Sequence, residues 1–409
     1  MATDNKNKVL NVPHLRFPEF SGEWEKYRLC DVASIVGRIG FRGYTTNDIV
    51  TKGKGAIALS PTNIENNKLT YDKDNTYISF YKYEESPEIM IKQGDVIFVK
   101  TGSTVGKVAY VDKLICKTTL NPQVVVLKDI QCDNYLLSVL MSTNKFQNAI
   151  RKIIVGGAVP TLSQAAMGDI VVTMPQATEQ EKLSKFISLL DDRIATQNKI
   201  IEKLQSLIKG IVDELMTVLL KGELYPFASL YIKAGEGGTP TTSVSKYYSG
   251  GSIPFIKIDD LSQKYLTSNK DFITELGMQK SSAWLIPSQS VIYSNGATIG
   301  AISINKYPVC TKQGILGIVP NINVNVEYLY LLMSSSYFSK EVGRIITEGT
   351  MKTAYLKDIN HIKSPLPSKA QQQNITNLTS SIEKKLSMEQ NCLKFLKLQK
   401  QHLLRTMFI

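Results

Sequence analysis

The segment TGSTVGKV, residues 101–108, comes closest in this sequence to a loop that binds nucleotide phosphates. A Walker-type loop reads G-x-x-x-x-G-K-[ST]: its backbone N–H groups surround the phosphates, its lysine neutralises them and its hydroxyl binds Mg²⁺. Here Gly102 and Gly106 enclose three residues instead of four, and Val108 occupies the position of the hydroxyl. The pattern therefore favours a turn between two strands over a nucleotide site.

A second copy of this turn supports that interpretation. In GATIGAI, residues 296–302, Gly296 and Gly300 repeat the glycine spacing 194 residues later. Ala301 replaces Lys107 in this copy, so the phosphate-binding side chain is absent. Because an apolar run precedes both turns, we expect a hairpin or a strand bend in each place.

The composition predicts a packed protein with a polyanionic partner. A length of 409 residues, 43% of them hydrophobic, fits two domains plus connectors. The net charge of +12 and the pI near 9.2 favour a partner such as nucleic acid, although surplus charge also promotes solubility. No window approaches the roughly 18 apolar residues of a membrane span, and MATDNKNKVL lacks the core of a signal peptide. We therefore expect a cytoplasmic protein.

The cysteines are odd in number and scattered singly, which predicts reduced, mostly packed thiols and no disulfide framework or zinc site. They are Cys30, Cys116, Cys132, Cys310 and Cys392.

The sequence repeats itself after about two hundred residues, which predicts its architecture. GEW at 22–24 returns as GEL at 222–224, and MPQATEQE from Met174 returns as LPSKAQQQ from Leu366, 192 residues later. We expect an α+β fold: two similar α/β domains with strand-rich, mixed sheets, separated by two long antiparallel helices that form a coiled coil, in a pseudo-twofold repeat. The expected bounds are 1–21 for an N-terminal arm, 22–177 for the first domain, 178–220 for the central helix, 221–368 for the second domain and 369–409 for the C-terminal helix.

The two helical segments carry residues at alternating spacings of four and three, which is the seam of a coiled coil. Gln197 is polar in the first seam, and Thr379, Glu389 and Lys400 weaken the second. The apolar seam residues are Leu183, Ile187, Leu190, Ile194, Ile201, Leu204, Ile208, Ile211, Leu215 and Val218 in the first helix, and Ile375, Ile382, Leu386, Leu393, Leu396, Leu403 and Met407 in the second.

Two helices with one narrow apolar stripe each are natural partners for one another. If they pair around their midpoints, Gln197 lies near Leu393 and Glu389 near Ile201. The polar seam residues then either set the alignment or form a docking site for a further protein. The straight first helix would be ~54 Å long at about 1.5 Å per residue, longer than one turn of B-DNA at roughly 34–36 Å. A helix pair of this length could hold two domains against two separate places on one DNA duplex.

The order and duplication of these motifs resemble the specificity (S) subunits of type I restriction-modification enzymes. The resemblance covers nearly the whole chain. It includes LRFPEFSGEW (15–24), GDVIFVKTGSTVGKVAY (94–110) and the segments at which the helices begin, PQATEQEKLSKFI from Pro175 and PSKAQQQNI from Pro367. The chain departs from the family pattern where GEL replaces GEW and where Gln372 replaces the usual acidic residue.

The resemblance implies a subunit without a catalytic centre. Family members have two target recognition domains, each reading one half of a split DNA sequence, and helices whose length fixes the unread spacer. The implied partners are double-stranded DNA, two modification subunits that bind S-adenosylmethionine and methylate adenine, and two restriction subunits that are ATP-driven translocases with nuclease activity. S-adenosylmethionine, ATP and Mg²⁺ would belong to those partners, so we expect no cofactor and no metal on this chain.

The residues agree with a non-catalytic role. Adenine methylation needs a [DNS]-PP-[FY] element to hold the flipped base, and NPQV at 121–124 lacks the second proline and the aromatic residue. The sequence contains neither G-x-G-x-x-G after a strand nor H-E-x-x-H, and His14, His361 and His402 are dispersed. The carboxylate pairs at 84–85 and 191–192 are sequential, so we expect them on solvated surfaces.

Candidate DNA-reading side chains come from loops that combine basic, hydroxyl, amide and aromatic residues, since these types contact phosphates and base edges. The basic clusters IVGRIGFRGY and TKGKG, the loop GEGGTPTTSVSKYY and the two glycine turns supply them. The candidates are Arg38, Arg42, Tyr44, Lys52, Lys54, Thr101, Ser103 and Lys107 in the first domain, and Thr239, Thr241, Thr242, Lys246, Tyr247, Asn295 and Thr298 in the second.

Two other functions compete with DNA recognition. One is a non-catalytic adaptor with two binding domains on a coiled-coil stalk. The other is an ATPase, which rests on TGSTVGK alone. Binding of duplex DNA that weakens steeply with salt argues against the first, and ATP binding by the isolated chain would support the second.

Overall fold

A computed structural model describes residues 11–72, 74–155, 159–346 and 352–408. The chain divides into two compact units: unit 1 is residues 1–196 with 393–409, and unit 2 is residues 197–392. The expected N-terminal arm falls in unit 1, and its residues 1–10 lie outside the described ranges. Within these ranges no helix is both long and apolar enough to cross a membrane.

Unit 1 contains the first twelve strands. They are β1 (Glu25–Arg28), β2 (Ser34–Gly37), β3 (Ile49–Val50), β4 (Gly55–Leu59), β5 (Ile64–Glu65), β6 (Lys68–Leu69), β7 (Tyr77–Ser79), β8 (Val96–Val99), β9 (Val108–Tyr110), β10 (Thr118–Leu120), β11 (Val124–Lys128) and β12 (Val171–Met174). Its short helices are α1 (Leu29–Val32), α2 (Phe80–Glu84), α3 (Asn134–Ser142), α4 (Asn144–Ile153) and α5 (Gln164–Gly168); the long helix α6 (Ala177–Leu219) begins in this unit.

Unit 2 contains the second series. Its strands are β13 (Leu224–Pro226), β14 (Tyr231–Glu236), β15 (Ile253–Ile256), β16 (Tyr265–Leu266), β17 (Asp271–Ile273), β18 (Val291–Ser294), β19 (Ile302–Asn305), β20 (Cys310–Thr311), β21 (Ile315–Pro320) and β22 (Lys363–Pro365). Its helices are α7 (Glu275–Gln279), α8 (Val326–Ser334), α9 (Ser336–Ile345) and α10 (Leu356–Ile359), and the second long helix, α11 (Lys369–Thr406), begins here.

The central strands of unit 1 are apolar on both faces, and this builds the unit in three layers. Every residue of β8 is buried. Val96 and Phe98 pack with α3 and α4, whereas Ile97 and Val99 face the core formed with β4 and β10, because successive side chains of a strand point to opposite faces. The six-stranded sheet, in the order β2-β11-β8-β9-β6-β5, therefore lies between the helices and a four-stranded outer sheet, β10-β4-β7-β3.

Unit 2 repeats this architecture. Its central sheet has the order β14-β21-β18-β19-β16, and its outer sheet has the order β20-β15-β17. These orders match β2-β11-β8-β9-β6 and β10-β4-β7 strand for strand. The helices α8, α9 and α11 begin 192 residues after α3, α4 and α6. The prediction of two similar domains in an internal repeat is confirmed.

Each glycine turn connects two antiparallel strands. β8 pairs with β9, and β18 with β19. In unit 1 the Gly106 N–H donates to the Val99 carbonyl at 3.0 Å. Gly102, Gly106 and Gly300 have φ of +104°, +99° and +100°, in the left-handed region that glycine adopts without strain. Because the chain continues into a strand and not into a helix, the hairpin prediction holds and the N–H cradle of a phosphate loop is not formed.

The long helices run antiparallel within each unit. In unit 1, Leu15 donates its N–H to the carbonyl of Thr406 while the neighbouring Arg16 binds Glu179, so the end of α11 lies beside the start of α6. In unit 2, Ile375 near the start of α11 shares a core with residues near the end of α6.

The seam prediction needs one correction, at the end of α6. Leu183, Ile187 and Ile201 are buried as expected, and so are Ile375, Leu396 and Met407 in α11. The other predicted seam residues up to Leu215, and those of α11, are at least partly buried. In the last turns of α6, however, Val212 and Met216 are the buried residues, Ile211 and Leu215 are half-buried, and Val218 is exposed. This part of α6 packs on Phe227 and Leu230 in the core of unit 2, which rotates the buried stripe by one residue.

Hydrogen bonds in unit 2 join Gln197 to Glu389, a pair that the midpoint alignment does not predict. The Gln197 amide donates to the carboxylate of Glu389 and, at 3.1 Å, to the Glu389 carbonyl. The two polar seam residues thus satisfy one another in unit 2. The pKa of Glu389 is lowered from its usual value by the hydrogen bond from Lys385 and then by the one from Gln197.

Gln372, at which the resemblance implies a departure from the family pattern, has an identical counterpart in unit 1. Gln180 and Gln372 are the equivalent residues, and both make the same bonds. Gln180 donates to the Pro175 carbonyl at 2.8 Å and accepts the N–H of Asp133, while Gln372 donates to the Pro367 carbonyl at 2.8 Å and accepts the N–H of Asn325. Each glutamine therefore ties the start of a long helix to the segment before α3 or α8.

Candidate nucleic-acid interface

The outer sheet of unit 1 presents a basic turn at the start of β4. The turn spans residues 51–54 and is closed by a hydrogen bond of 3.0 Å from the Lys54 N–H to the Thr51 carbonyl. Gly53 has φ of +87°, a conformation in which glycine is unstrained. The candidates Lys52 and Lys54 are both exposed on this turn.

Strand pairing brings α2 to the same edge of the sheet. β4 and β7 are antiparallel, with Gly55 opposite Ser79, so the first residues of α2 follow β7 next to Lys54. The Ser79 hydroxyl caps α2 by accepting the N–H of Lys82 at 3.3 Å. Tyr83 is buried and anchors the helix, whereas Tyr81, two positions earlier, lies on the opposite face and is 83% exposed.

Lys117 completes this group. β10 runs parallel to β4, and the residue before β10, Lys117, is held at the start of β4 by a hydrogen bond of 3.0 Å from the Ile57 N–H to its carbonyl. Its ammonium lies 5.0 Å from the centre of the Phe80 ring and 5.5 Å from that of Tyr83. We call Lys52, Lys54, Phe80, Tyr81 and Lys117 the basic-aromatic tip of unit 1.

Arg38 does not belong to an exposed surface, which corrects its place among the candidates. Only 6% of it is accessible, and its guanidinium donates to the carbonyls of Leu120 (2.8 Å) and Arg42 (3.2 Å) and to Thr119 Oγ1 (3.1 Å). Burial lowers the pKa of Arg38. The candidate Tyr44 is half-buried, with its ring centre 5.4 Å from this guanidinium. Arg38 therefore ties the loop of residues 38–44 to the outer sheet.

Arg42 faces a carboxylate, and the glycine-turn candidates of unit 1 lie away from the tip. Arg42 is half-buried, with its Nη1 3.5 Å from the Glu88 carboxylate. Thr101 is half-buried, Ser103 and Lys107 are exposed, and the Lys107 ammonium donates to the Ile64 carbonyl at 3.3 Å. Ile64 follows the end of β4, whereas the basic turn precedes its start. The structure thus separates the glycine-turn candidates from Lys52 and Lys54.

In unit 2 the predicted loop packs on α7, the counterpart of α2. The Thr274 hydroxyl, which caps α7, donates to the Lys246 carbonyl at 3.0 Å, and the Thr274 N–H donates to the Tyr247 carbonyl at 2.9 Å. A Cβ at Gly277 would lie 2.6 Å from that Tyr247 oxygen, so glycine permits the close approach. The candidates Thr241, Thr242 and Lys246 are exposed here, and Tyr247 is half-buried.

The remaining candidates of unit 2 lie at its glycine turn. Asn295 is 0% exposed and donates its side-chain amide to the Ala354 carbonyl at 3.1 Å, so it is a structural residue, not an exposed one. Thr298 is exposed, and half-buried Thr239 accepts the N–H of Gln313 at 3.4 Å. Asn295 and Arg38 are therefore no longer candidates for reading DNA, because a side chain that contacts DNA must be accessible at the surface.

The tip of unit 1 contains residues that the sequence search missed. Lysine ammonium groups bind phosphates, and exposed aromatic rings contact bases, so the cluster has the chemistry of a nucleic-acid surface. The sequence-based candidates do not include Phe80, Tyr81 and Lys117, since in FYKYEE only the two glutamates suggested a chemical role. The interleaved aromatic residues and lysine of FYKY were the available signal, but only strand pairing joins them to residues 52–54.

Among the described residues no group of three or more His, Cys, Asp or Glu side chains is arranged to bind a metal ion.

Comparison with known proteins identifies the type of domain. A family model described as the type I restriction modification DNA specificity domain matches residues 21–206 and 232–397, one match in each half of the chain.

Individual relatives agree with that match. The chain is 31% identical to the MjaIX specificity subunit of Methanocaldococcus jannaschii, but over only 35% of this chain and 34% of that protein. It is 23% identical to the putative MjaX specificity subunit of the same organism, over 92% of this chain and 90% of that one. The S subunit structure from M. genitalium has the same fold, with a TM-score of 0.56 and 15% identity over 97% of this chain and 99% of that one.

Proposed function

Because this chain belongs to the family of type I restriction-modification DNA specificity domains, we propose that unit 1 and unit 2 each read one half of a split DNA sequence. The chain is the non-catalytic specificity subunit of such a system: it selects the DNA, and other subunits carry out the chemistry. Neither an ATPase nor an adaptor on a stalk is favoured by the family match.

The observation that carries the proposal is the duplicated three-layer unit with different side chains at equivalent loops. Unit 1 offers Lys52, Lys54 and the aromatic residues of α2, while unit 2 offers the hydroxyl-rich loop that contains Thr241 and Lys246. The two units share one strand order but have different loop side chains, as expected for a protein that recognises two different short sequences. Base edges are distinguished by side chains in the grooves, so the differences between the loops would set the two half-sites.

We propose that α6 and α11 set the unread spacer between the half-sites. A continuous helix has a fixed rise of about 1.5 Å per residue, so the number of its residues determines the distance between the segments at its two ends. The hydrogen bonds that Gln197 donates to Glu389 support the idea that polar seam residues fix the alignment of the two helices.

We also propose that the helices bind the other subunits of the complex. Apolar side chains remain exposed on them in unit 1, where Leu189, Phe395 and Leu398 are 59%, 68% and 50% accessible. Large apolar side chains exposed on these helices are available for contact with another protein. The partners would be two modification and two restriction subunits in the cytoplasm, and S-adenosylmethionine, ATP and Mg²⁺ would be bound by them.

The proposal is tested by producing the full chain together with its modification subunit and mapping methylated adenines across a host genome. We expect a two-part motif with an unspecified gap of constant length. A single uninterrupted motif, or methylation without sequence preference, would contradict the assignment of one half-site to each unit. A complex that lacks this chain is the control, and it should leave the motif unmethylated.

A further inference from the structure

Tyr81 is unusually exposed for a large side chain held in a fixed position. It is 83% accessible, although the helix that carries it is fixed by buried Tyr83 on one face and by the Ser79 cap at its start. An aromatic ring removes a large apolar area from water when it meets a partner, so a ring displayed on a rigid support is suited to binding. Tyr81 therefore has the position of a contact residue and not of a packing residue.

The surroundings of Tyr81 indicate the chemistry of its partner. Lys52 and Lys54 lie at the same edge of the outer sheet, and Lys117 approaches the adjacent Phe80 ring to 5.0 Å. Its acidic neighbours already have basic partners: Glu84 lies 3.5 Å from Lys117, and Glu85 lies 2.5 Å from Lys82. An aromatic ring surrounded by lysines is complementary to a base flanked by phosphates.

The equivalent position in unit 2 has a different character. The cap residue Ser79 corresponds to Thr274, so Phe80 and Tyr81 correspond to Glu275 and Leu276, at the start of α7. Glu275 carries a negative charge where unit 1 has the Phe80 ring, and Leu276 has an aliphatic side chain in place of the Tyr81 ring. The two aromatic residues at the start of α2 therefore have no aromatic counterpart at the start of α7.

From these observations we propose that Tyr81 is a specificity-determining residue, which contacts a base of the half-site read by unit 1 while Lys52, Lys54 and Lys117 contact the flanking phosphates. The inference rests on the proposed function and adds to it the surface of unit 1 that meets the DNA. The phosphate contacts would position the domain, and Tyr81 would contribute to the choice of base.

The test uses the full chain in complex with its modification subunit and duplexes that carry the mapped target. Tyr81→Ala should weaken binding about tenfold, in the range of single base or stacking contacts, whereas Tyr81→Phe should stay within about twofold because the ring is kept. Ile322→Ala is the matched control: Ile322 is equally exposed at 83%, but it lies in unit 2 between β21 and α8. This variant should bind like the unaltered complex.

Duplexes with one half-site altered at a time identify the contact. Tyr81→Ala should reduce discrimination at one half-site only, and Leu276→Ala should leave discrimination at that half-site intact. Unchanged affinity of Tyr81→Ala, or an equal loss on intact and altered duplexes, would overturn the inference. Loss of complex assembly with normal DNA binding by the chain alone would also overturn it, since Tyr81 would then be a protein contact. If the unaltered complex shows no sequence preference, the proposed function itself fails before any variant is compared.

Discussion

Units 1 and 2 have the same layers and strand order, but polar side chains at equivalent positions have different partners in the two units. At the start of α6, Glu179 is buried and pairs with Arg16 of the N-terminal segment at 2.6 Å. The equivalent residue of α11 is Gln371, which is exposed and accepts bonds from the N–H and the hydroxyl of Ser368. Unit 1 therefore has a buried charge pair where unit 2 has a neutral cap.

A second pair of positions shows the same behaviour. In unit 1, Asp191 accepts the hydroxyl of Tyr135 at 2.8 Å and pairs with Lys400, so it is not on the solvated surface expected from sequence. In unit 2 the equivalent residue is Glu383, and Lys264 pairs with it at 2.6 Å and with Glu327 at 2.7 Å. The carboxylate is common to both units, but the cation comes from α11 in one and from the loop before β16 in the other.

The apolar layers are therefore common to both units, whereas the partner of each charged side chain differs between them. Replacing one partner of a charged pair should therefore lower the stability more than replacing both partners. The double change imitates the arrangement of the other unit.

The largest effect is expected for Arg16→Ala. It leaves the buried Glu179 carboxylate without its cation, which costs about 3–5 kcal/mol in comparable buried pairs. We expect the urea midpoint of unit 1 to fall accordingly, with hydrogen exchange assigning the loss to residues 177–196. The double change Arg16→Ala with Glu179→Gln imitates Gln371 and should recover much of the loss. An unaltered midpoint for Arg16→Ala would refute the assignment of a buried ion pair.

A smaller loss is expected for Lys264→Met in unit 2. It leaves the carboxylates of Glu327 and Glu383 without their common cation. Because all three side chains are partly accessible, we discount the cost of a buried pair to about 2 kcal/mol. Denaturant unfolding measures it. Adding Glu383→Gln removes one of the facing charges and should restore part of the stability; a further decrease would contradict the pairing.

Loss of DNA affinity with a change in its salt dependence is expected for the exposed lysines of the tip. Each lysine that neutralises a phosphate contributes about one unit to the slope of log K against log salt concentration. The double variant Lys52→Ala with Lys54→Ala should reduce that slope by about two, while the methylated motif stays the same. Lys369→Ala, at the exposed start of α11, is the control and should leave the slope unaltered. A changed motif would mean that these lysines read bases.

The smallest effect concerns thiol chemistry and leaves function intact. Burial raises the pKa of Cys132 in unit 1 to about 12 and that of Cys310 in unit 2 to about 11. Both thiols should stay protonated at pH 8, and only the thiolate reacts with iodoacetamide. Exposed Cys30 and Cys116 should be labelled first, as followed by peptide mass spectrometry. Labelling of Cys132 at the rate of Cys30 would show that this part of unit 1 opens.

The fold was largely predictable because its signals are periodic and duplicated. Apolar runs before the glycine turns indicated buried strands, and the alternating spacing of Leu183, Ile187 and their successors indicated the long helices. The register could not be derived in this way, because an apolar seam tolerates several alignments, and nothing in the spacing indicates that Gln197 bonds Glu389. The rotated stripe at Met216 depends on the core of unit 2, which no helix pattern reveals.

The candidate site was harder to predict because it is assembled from distant segments. Lys52 and Lys54 were recognised from composition, but Phe80, Tyr81 and Lys117 join them only through the pairing of β4 with β7 and β10. Arg38 and Asn295 have the side chains of DNA readers, and nothing in their neighbourhood in the sequence indicates that backbone carbonyls occupy their donors. Residue type therefore predicts a chemical capacity, while burial decides whether DNA can reach it.

The most direct test of the account replaces residues 25–174 with residues 225–366, so that the complex carries the second unit's globular part twice. Its methylated motif is then mapped and compared with that of the unaltered complex. We expect the half-site of unit 2 to appear twice in inverted orientation, and the half-site of unit 1 to disappear. A motif that keeps both original halves would contradict the claim that each unit reads its own half of the target.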